Sequence, residues 1–244
     1  MRAFIFVALL FAASSNASDT GQRFDRKGIR VLHLKGSAVQ MARQHGTLLR
    51  DDIRRGALPL SASMIDRAVE GSLAHRPRIA ELVRKGIRKY ITSRILGRTL
   101  SQSTADEDLV EISKVYSQVT GIPAHTFFEA AAAPDTLMIL ATLSTNLGFF
   151  PETNSHLAGN CSSFSLWGDY TTGGDMVIGR NLDYPLTGTY EKYPTVIYFE
   201  PPTGLRFFSL TSAGVHNPGI SALNEAGIFM ALHTLPTHQI TRNG

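Results

Sequence analysis

At residue 161 this 244-residue chain changes texture, and the residue that stands there is its only cysteine. Upstream, apolar positions recur mostly at helical spacing. Residues 29–34, IRVLHL, alternate and read as a short strand; Gly36-Ser37 then opens a helix over about 38–55, with Val39, Met41, Leu48, Leu49 and Ile53 as its apolar positions. More helix is expected over roughly 60–71, 78–96, 106–119 and 126–147, the last in two pieces because Pro134 interrupts it. Downstream, three pairs of β-rich runs flank turn signals. CSSFSLWGDY and MVIGRNLDY join through Thr171 to Asp175, TVIYFE and LRFFSLTS through Pro201 to Gly204, and GISAL and IFMALHTL through Asn224 to Gly227. A helical front half followed by antiparallel hairpins is an α+β pattern.

The first residues order themselves as a secretory signal: Arg2, an apolar run from Ala3 to Ala13, then Ser15-Asn16-Ala17 as a small-x-small cleavage site. Eleven apolar residues fall short of the roughly 20 that span a bilayer. Residues 1–17 are therefore expected to be removed, and the mature protein to be secreted or periplasmic. Export makes the cysteine count informative, because an oxidising compartment favours paired cysteines and Cys161 has no partner in the chain. It cannot staple the fold. On count alone, a buried core thiol and a reactive one remain equally open.

Net charge is modest at +4, but Arg76, Arg78, Arg84, Lys85, Arg88, Lys89, Arg94 and Arg98 crowd one stretch. Ile79, Leu82, Val83, Ile87, Ile91 and Ile95 recur there at helical spacing, so the basic residues read first as the wet face of an amphipathic helix. Contact of residues 76–98 with an anionic membrane surface is the second reading. Aromatic residues are not interleaved with these charges, so nucleic acid is not an expected partner. The eight histidines are scattered without ligand spacing, and there is no G-x-S-x-G, H-E-x-x-H or phosphate loop. No metal or cofactor is expected.

The chemistry concentrates in Gly159-Asn160-Cys161-Ser162-Ser163-Phe164 and Gly179-Arg180-Asn181-Leu182-Asp183. If the Asn160-Cys161 bond breaks, Cys161 carries its own α-amine, which with a typical pKa of about 7.7–8.0 is a usable base near neutrality. Thiol and base then sit on one residue, and no histidine is needed to activate the nucleophile. A guanidinium such as Arg180 favours a thiolate, and a carboxylate such as Asp183 can orient an ammonium. Pairing Thr172 with Asp175 would set Cys161 opposite Leu186, so contact with Arg180 and Asp183 requires a bulge or bend.

The segment GNCSSFSLWGDYTTGGDMVIGRNLDYP resembles the start of the catalytic segment in the C45-type autoproteolytic acyltransferases and hydrolases, the group of isopenicillin N acyltransferase. It is similar, more distantly, to acid ceramidase and choloylglycine hydrolases. Upstream, Gly36-Ser37, Met41, Gln44-His45-Gly46 and Leu49 look like the helix near the start of that family's propeptide, and ALNEAGIFMALHTL looks like its Asn-Glu-x-Gly hairpin. The resemblance covers roughly residues 30–55 and 159–235. It implies an N-terminal-nucleophile (Ntn) hydrolase with a four-layer αββα sandwich, in which residues 18–160 form a helical propeptide or α chain. Residues 161–244 would be the start of the catalytic β chain, incomplete at the C-terminus because the chain stops straight after a strand.

By the same resemblance, Cys161 is the nucleophile, Arg180 and Asp183 are its pocket pair, and His233 with Asn224 lies where relatives place an oxyanion-hole or substrate-pocket group. Further pocket residues would lie beyond Gly244. The expected activity is attack of Cys161 on an amide or N-acyl small-molecule substrate, with the protein's own α chain as partner after self-cleavage between Asn160 and Cys161. Two competing readings remain: a phospholipase-like ester hydrolase of the same superfamily, and a secreted binding module in which Cys161 is merely buried. An ester-versus-amide substrate panel separates the first from the amidase. A single band on a denaturing gel would identify the second.

Overall fold

The structure is a computed structural model that describes residues 20–57, 75–91, 104–124, 126–127, 161–183, 190–215 and 220–233, together with Asp66, Val69 and Leu73. The expected signal peptide, Asn160 and most of the helices expected over 60–71 and 126–147 lie outside the described residues. What is described is mixed α+β. Strands β1 (Gln22–Arg26), β2 (Ile29–Lys35), β5 (Pro194–Glu200), β6 (Phe207–Ser212), β7 (Ser221–Asn224) and β8 (Phe229–Ala231) make one sheet in the order β1-β2-β5-β6-β7-β8. β3 (Ser162–Gly168) and β4 (Gly174–Asn181) form a separate two-stranded hairpin. The helices named here are α1 (Ala38–Leu48), α2 (Pro77–Ile91) and α3 (Thr104–Thr120).

The strand expected over 29–34 is β2, and its antiparallel partner β1 is an addition to the helical front half. β2 in turn pairs in parallel with β5, Leu32 beside Ile197 and Leu34 beside Phe199. One sheet therefore draws strands from both sides of Cys161. The expected 18–160 and 161–244 segments thus share one sheet.

The period-2 alternation of β2 sends Leu32 and Leu34 to the helix-covered face, where they are fully buried with Ile197, Leu49, Ile53, Tyr116 and Phe127. Each such side chain contributes roughly 1.5–3 kcal/mol through burial. The other sheet face carries a run of apolar side chains beside the ion-paired His33, Lys35 and Glu200. Val31, Val196, Tyr198, Phe208 and Leu210 share it by register, Tyr198 and Phe208 contact at a ring-centroid distance of 5.8 Å, and Leu210 is 47% exposed.

The helix expected from Gly36-Ser37 starts there through a capping box: Ser37 Oγ accepts from the Gln40 N–H at 3.3 Å, and Gln40 Oε1 accepts from the Ser37 N–H at 2.8 Å. Within α1, the Gln44-His45-Gly46 triplet does three packing jobs. Gln44 donates to the Lys35 carbonyl at 2.8 Å and accepts from the Lys35 N–H at 3.0 Å, pinning the end of β2. His45 is buried, with Nδ1 against the Tyr116 hydroxyl of α3 and Nε2 accepting from the Gly214 N–H at 3.3 Å. Because that N–H can only donate, the neutral ring carries its proton on Nδ1 and donates it to Tyr116. Gly46 lets α1 and α3 approach so closely that a Cβ there would overlap the Val119 side chain.

α2 corrects the expected apolar stripe. Ala80 and Ile87 are buried and Val83 half-buried, whereas Leu82 is 70% exposed and Ile79 also faces water. At 100° per residue, positions 80, 83, 84 and 87 form one stripe and position 82 falls nearly opposite. Sequence hydrophobicity alone could not choose between the two stripes.

Charge pins the β1–β2 hairpin to the end of α1. Asp52, 15% exposed at its side chain, takes Arg30 at 2.9 Å and Arg23 at 3.2 Å, and Arg23 also donates to the Leu48 carbonyl at 2.9 Å. The hydrogen bond from Arg30, and then its charge with that of Arg23, holds the Asp52 carboxyl below its ordinary value. A depressed carboxyl stabilises the fold above the unfolded pKa of about 3.9 and loses that contribution as pH falls through its folded value. Asp52→Asn should therefore lower unfolding free energy by about 1.5–3 kcal/mol at pH 7, on the scale of charged hydrogen bonds. Wild type and variant should converge only as pH falls from about 3.9 through the lower folded value, which urea titrations at neutral and strongly acidic pH would check. A constant difference down to low pH would contradict the assignment.

Candidate active site

Cys161 is half-buried and immediately precedes β3. The β3–β4 register places Ser162 opposite Asn181 and Ser163 opposite Arg180, with an irregularity between Leu166 and Gly168. This corrects the expected pairing of Thr172 with Asp175. Gly168, Gly173 and Gly174 all adopt positive φ, so the chain turns through Asp169 to Gly173 and slides β4 along β3. Phe164 lies directly over Gly179, its register partner, leaving no room for a Cβ.

Directly paired residues share a face, as do strand residues two apart. Ser163 and Arg180 therefore lie on the side toward which Cys161 continues the alternation. The contacts agree: Arg180 Nη2 donates to Cys161 Sγ at 3.5 Å and also to the Leu232 carbonyl. That second bond ties the hairpin to the chain leaving β8. Arg180 Nε is buried and has no acceptor among the described residues.

His233 closes the cluster. Its Nδ1 is 3.3 Å from the Cys161 carbonyl and its Nε2 is 3.2 Å from Ser163 Oγ. A carbonyl only accepts, so Nδ1 carries the proton, and in the neutral ring Nε2 accepts from the Ser163 hydroxyl. Cys161, Ser163, Arg180 and His233 thus form one connected group drawn from three strand ends. Ser163 is the member that motif spacing does not single out. The signal for it is the two-residue alternation from Cys161.

The remaining expected site residues sit differently. Asp183 is exposed and accepts from Asn181 Nδ2 at 2.7 Å, and no Arg180–Asp183 ion pair occurs among the described residues. Asn224 shapes its own turn: Oδ1 accepts from the Ala226 N–H at 3.1 Å and the Ile228 N–H at 2.9 Å. Beside it, Glu225 receives the Arg206 N–H at 3.0 Å and guanidinium Nε at 2.7 Å, and these bonds hold its carboxyl below the ordinary value. The Asn-Glu-x-Gly sequence is accounted for by hairpin chemistry, with Gly227 at φ +79.

Chemically, the cluster offers a thiol, a fixed cation against its sulfur, and an imidazole whose free lone pair reaches a hydroxyl. That combination serves nucleophilic attack on a carbonyl. Among the described residues no set of three or more His, Cys, Asp or Glu could hold a metal ion.

No family model matches the chain, and no solved structure matches it. Protein dcd1B of Dictyostelium discoideum is 24% identical over 204 residues, covering 81% of this chain and 35% of that protein. The chain spans about a third of the length of the curated relative it matches.

Proposed function

We propose that the protein is an exported Ntn-type cysteine amidohydrolase or acyltransferase that frees Cys161 by cutting its own chain after Asn160. The observation that carries this reading is the Arg180 guanidinium held 3.5 Å from the sulfur of the only cysteine, at the head of a strand. In self-cleavage, the Cys161 sulfur attacks the Asn160 carbonyl, the C–N bond breaks as the C–S bond forms, and water then releases the Asn160 carboxylate. In turnover, the same sulfur attacks a small-molecule amide or N-acyl substrate, the amine leaves, and water or an acceptor amine resolves the thioester, with the α-amine of Cys161 as base. The four-layer αββα sandwich belongs to this proposal. It is supported by a sheet whose one face is covered by helices while the other carries Val31, Val196, Tyr198, Phe208 and the half-exposed Leu210, which a second layer would cover. Secretion and the pairing of the processed chains are part of the same reading.

The test is the N-terminal residue of the processed protein. Wild type should give two chains, one beginning at Cys161. Cys161→Ala should stay whole, and Cys161→Ser should process slowly because a hydroxyl attempts the same shift as a poorer nucleophile. Two clean chains from the alanine variant would end the self-cleavage model.

A further inference from the structure

Self-cleavage poses a proton problem that turnover does not. Before the Asn160–Cys161 bond breaks, the nitrogen of Cys161 is an amide, so the α-amine that serves turnover does not yet exist. Another group has to take the thiol proton. Arg180, the cation against the sulfur, has no lone pair to offer. His233 does: its Nδ1–H is fixed on the Cys161 carbonyl, which turns the lone pair of Nε2 toward Ser163 Oγ at 3.2 Å. Ser163 shares the Cys161 face one pleat repeat away, roughly 6–7 Å along the backbone, and a bridging water would complete the path from thiol to hydroxyl.

Resting on the self-cleavage reading above, we infer that His233 is the proton acceptor for maturation, acting through the Ser163 hydroxyl. The Cys161 thiol proton passes to a bridging water, that water gives a proton to Ser163 Oγ, and the Ser163 proton moves to His233 Nε2. The thiolate attacks the Asn160 carbonyl carbon, and the C–S bond forms as the C–N bond breaks. The departing nitrogen takes its proton back along the same path from the imidazolium, leaving a thioester, a free α-amine and a neutral His233. Water then hydrolyses the thioester to the Asn160 carboxylate and the Cys161 thiol. In this scheme His233 is a positioning residue toward Cys161 and acts through Ser163. Its bond to the Cys161 carbonyl holds the residue that follows the scissile bond.

A purely structural role for His233 would be met by glutamine, whose amide can donate to one partner and accept from the other but cannot carry a proton away. The experiment follows conversion of the full-length chain to two chains over time. His233→Gln and Ser163→Ala should each slow conversion at least about 100-fold, the lower range for general acid–base assistance. Added imidazole should speed conversion of His233→Ala but not of wild type. Cys161→Ala is run beside them. If it stays whole while His233→Gln converts at the wild-type rate, or imidazole does nothing for a folded His233→Ala, this inference falls and the proposed function stands. If Cys161→Ala itself gives two chains, the proposed function falls first.

Discussion

His45→Leu is expected to bring the chain close to its unfolding threshold at 25 °C. The leucine would keep most of the volume but leave the Gly214 N–H, which is buried, without its acceptor, and would break the bond that joins His45 to Tyr116. A buried donor left without a partner costs about 1–3 kcal/mol, and losing the second bond with its edge-to-face ring contact brings the total to about 3–5 kcal/mol. Typical domains have only about 5–15 kcal/mol in all. Tyr116→Phe should cost less, about 1–3 kcal/mol, since the ring still packs on Phe127 and the loss is that of the hydroxyl which accepts from His45 Nδ1–H. Burial already pushes that phenol well above its ordinary pKa, so it acts as a neutral group throughout the working pH range. The check is the urea midpoint at constant slope. A shift for His45→Leu within about 0.5 kcal/mol of wild type would show that the node carries little.

The node also explains why cutting the chain need not dissolve it. His45 and Tyr116 lie before Cys161 and Gly214 after it, and the β2–β5 pairing crosses the same boundary. A chain that opens its backbone at residue 160 keeps a shared sheet and a shared buried hydrogen-bond group. Under the proposed function, the processed halves stay together through these contacts.

The elements legible in the sequence were those with a local cause. The hairpins announced themselves through glycine-bearing turns, and the start of α1 through Gly36-Ser37. The contact of Arg180 with Cys161 was legible because a lone cysteine and a nearby cation make chemical sense together, whereas His233 was named only through the family resemblance. What stayed hidden depends on registers and partners far apart in the chain. The slide of β4 along β3 comes from three glycines that permit several turns. The burial of Ala80 in place of Leu82 depends on which side of α2 meets the rest of the molecule. A turn-forming amide reads the same in sequence as a ligand-binding one, so Asn224 could be named for a pocket while its bonds from the Ala226 and Ile228 N–H groups, which shape the turn, stayed out of sight.

Arg180→Met should cost the most in chemistry and little in folding. Methionine keeps much of the reach and volume, but removes the cation from Cys161 Sγ and the donor from the Leu232 carbonyl. Negative charge gathers on sulfur as it becomes a nucleophile, and a donor fixed where charge develops is typically worth about 100- to 1,000-fold in rate. Self-cleavage should slow by that order, and alkylation of Cys161 by iodoacetamide at a fixed pH should slow in parallel. Stability should change by less than about 1 kcal/mol, because the β3–β4 hairpin is exposed and contributes little to the buried core. Arg180→Lys should recover only part of the rate, since an ammonium is a point charge and cannot span the sulfur and the carbonyl as a planar fork does. If Arg180→Met were alkylated and processed at wild-type rates, the guanidinium would be no more than a tie between the hairpin and β8, and the sulfur would owe its reactivity to another group.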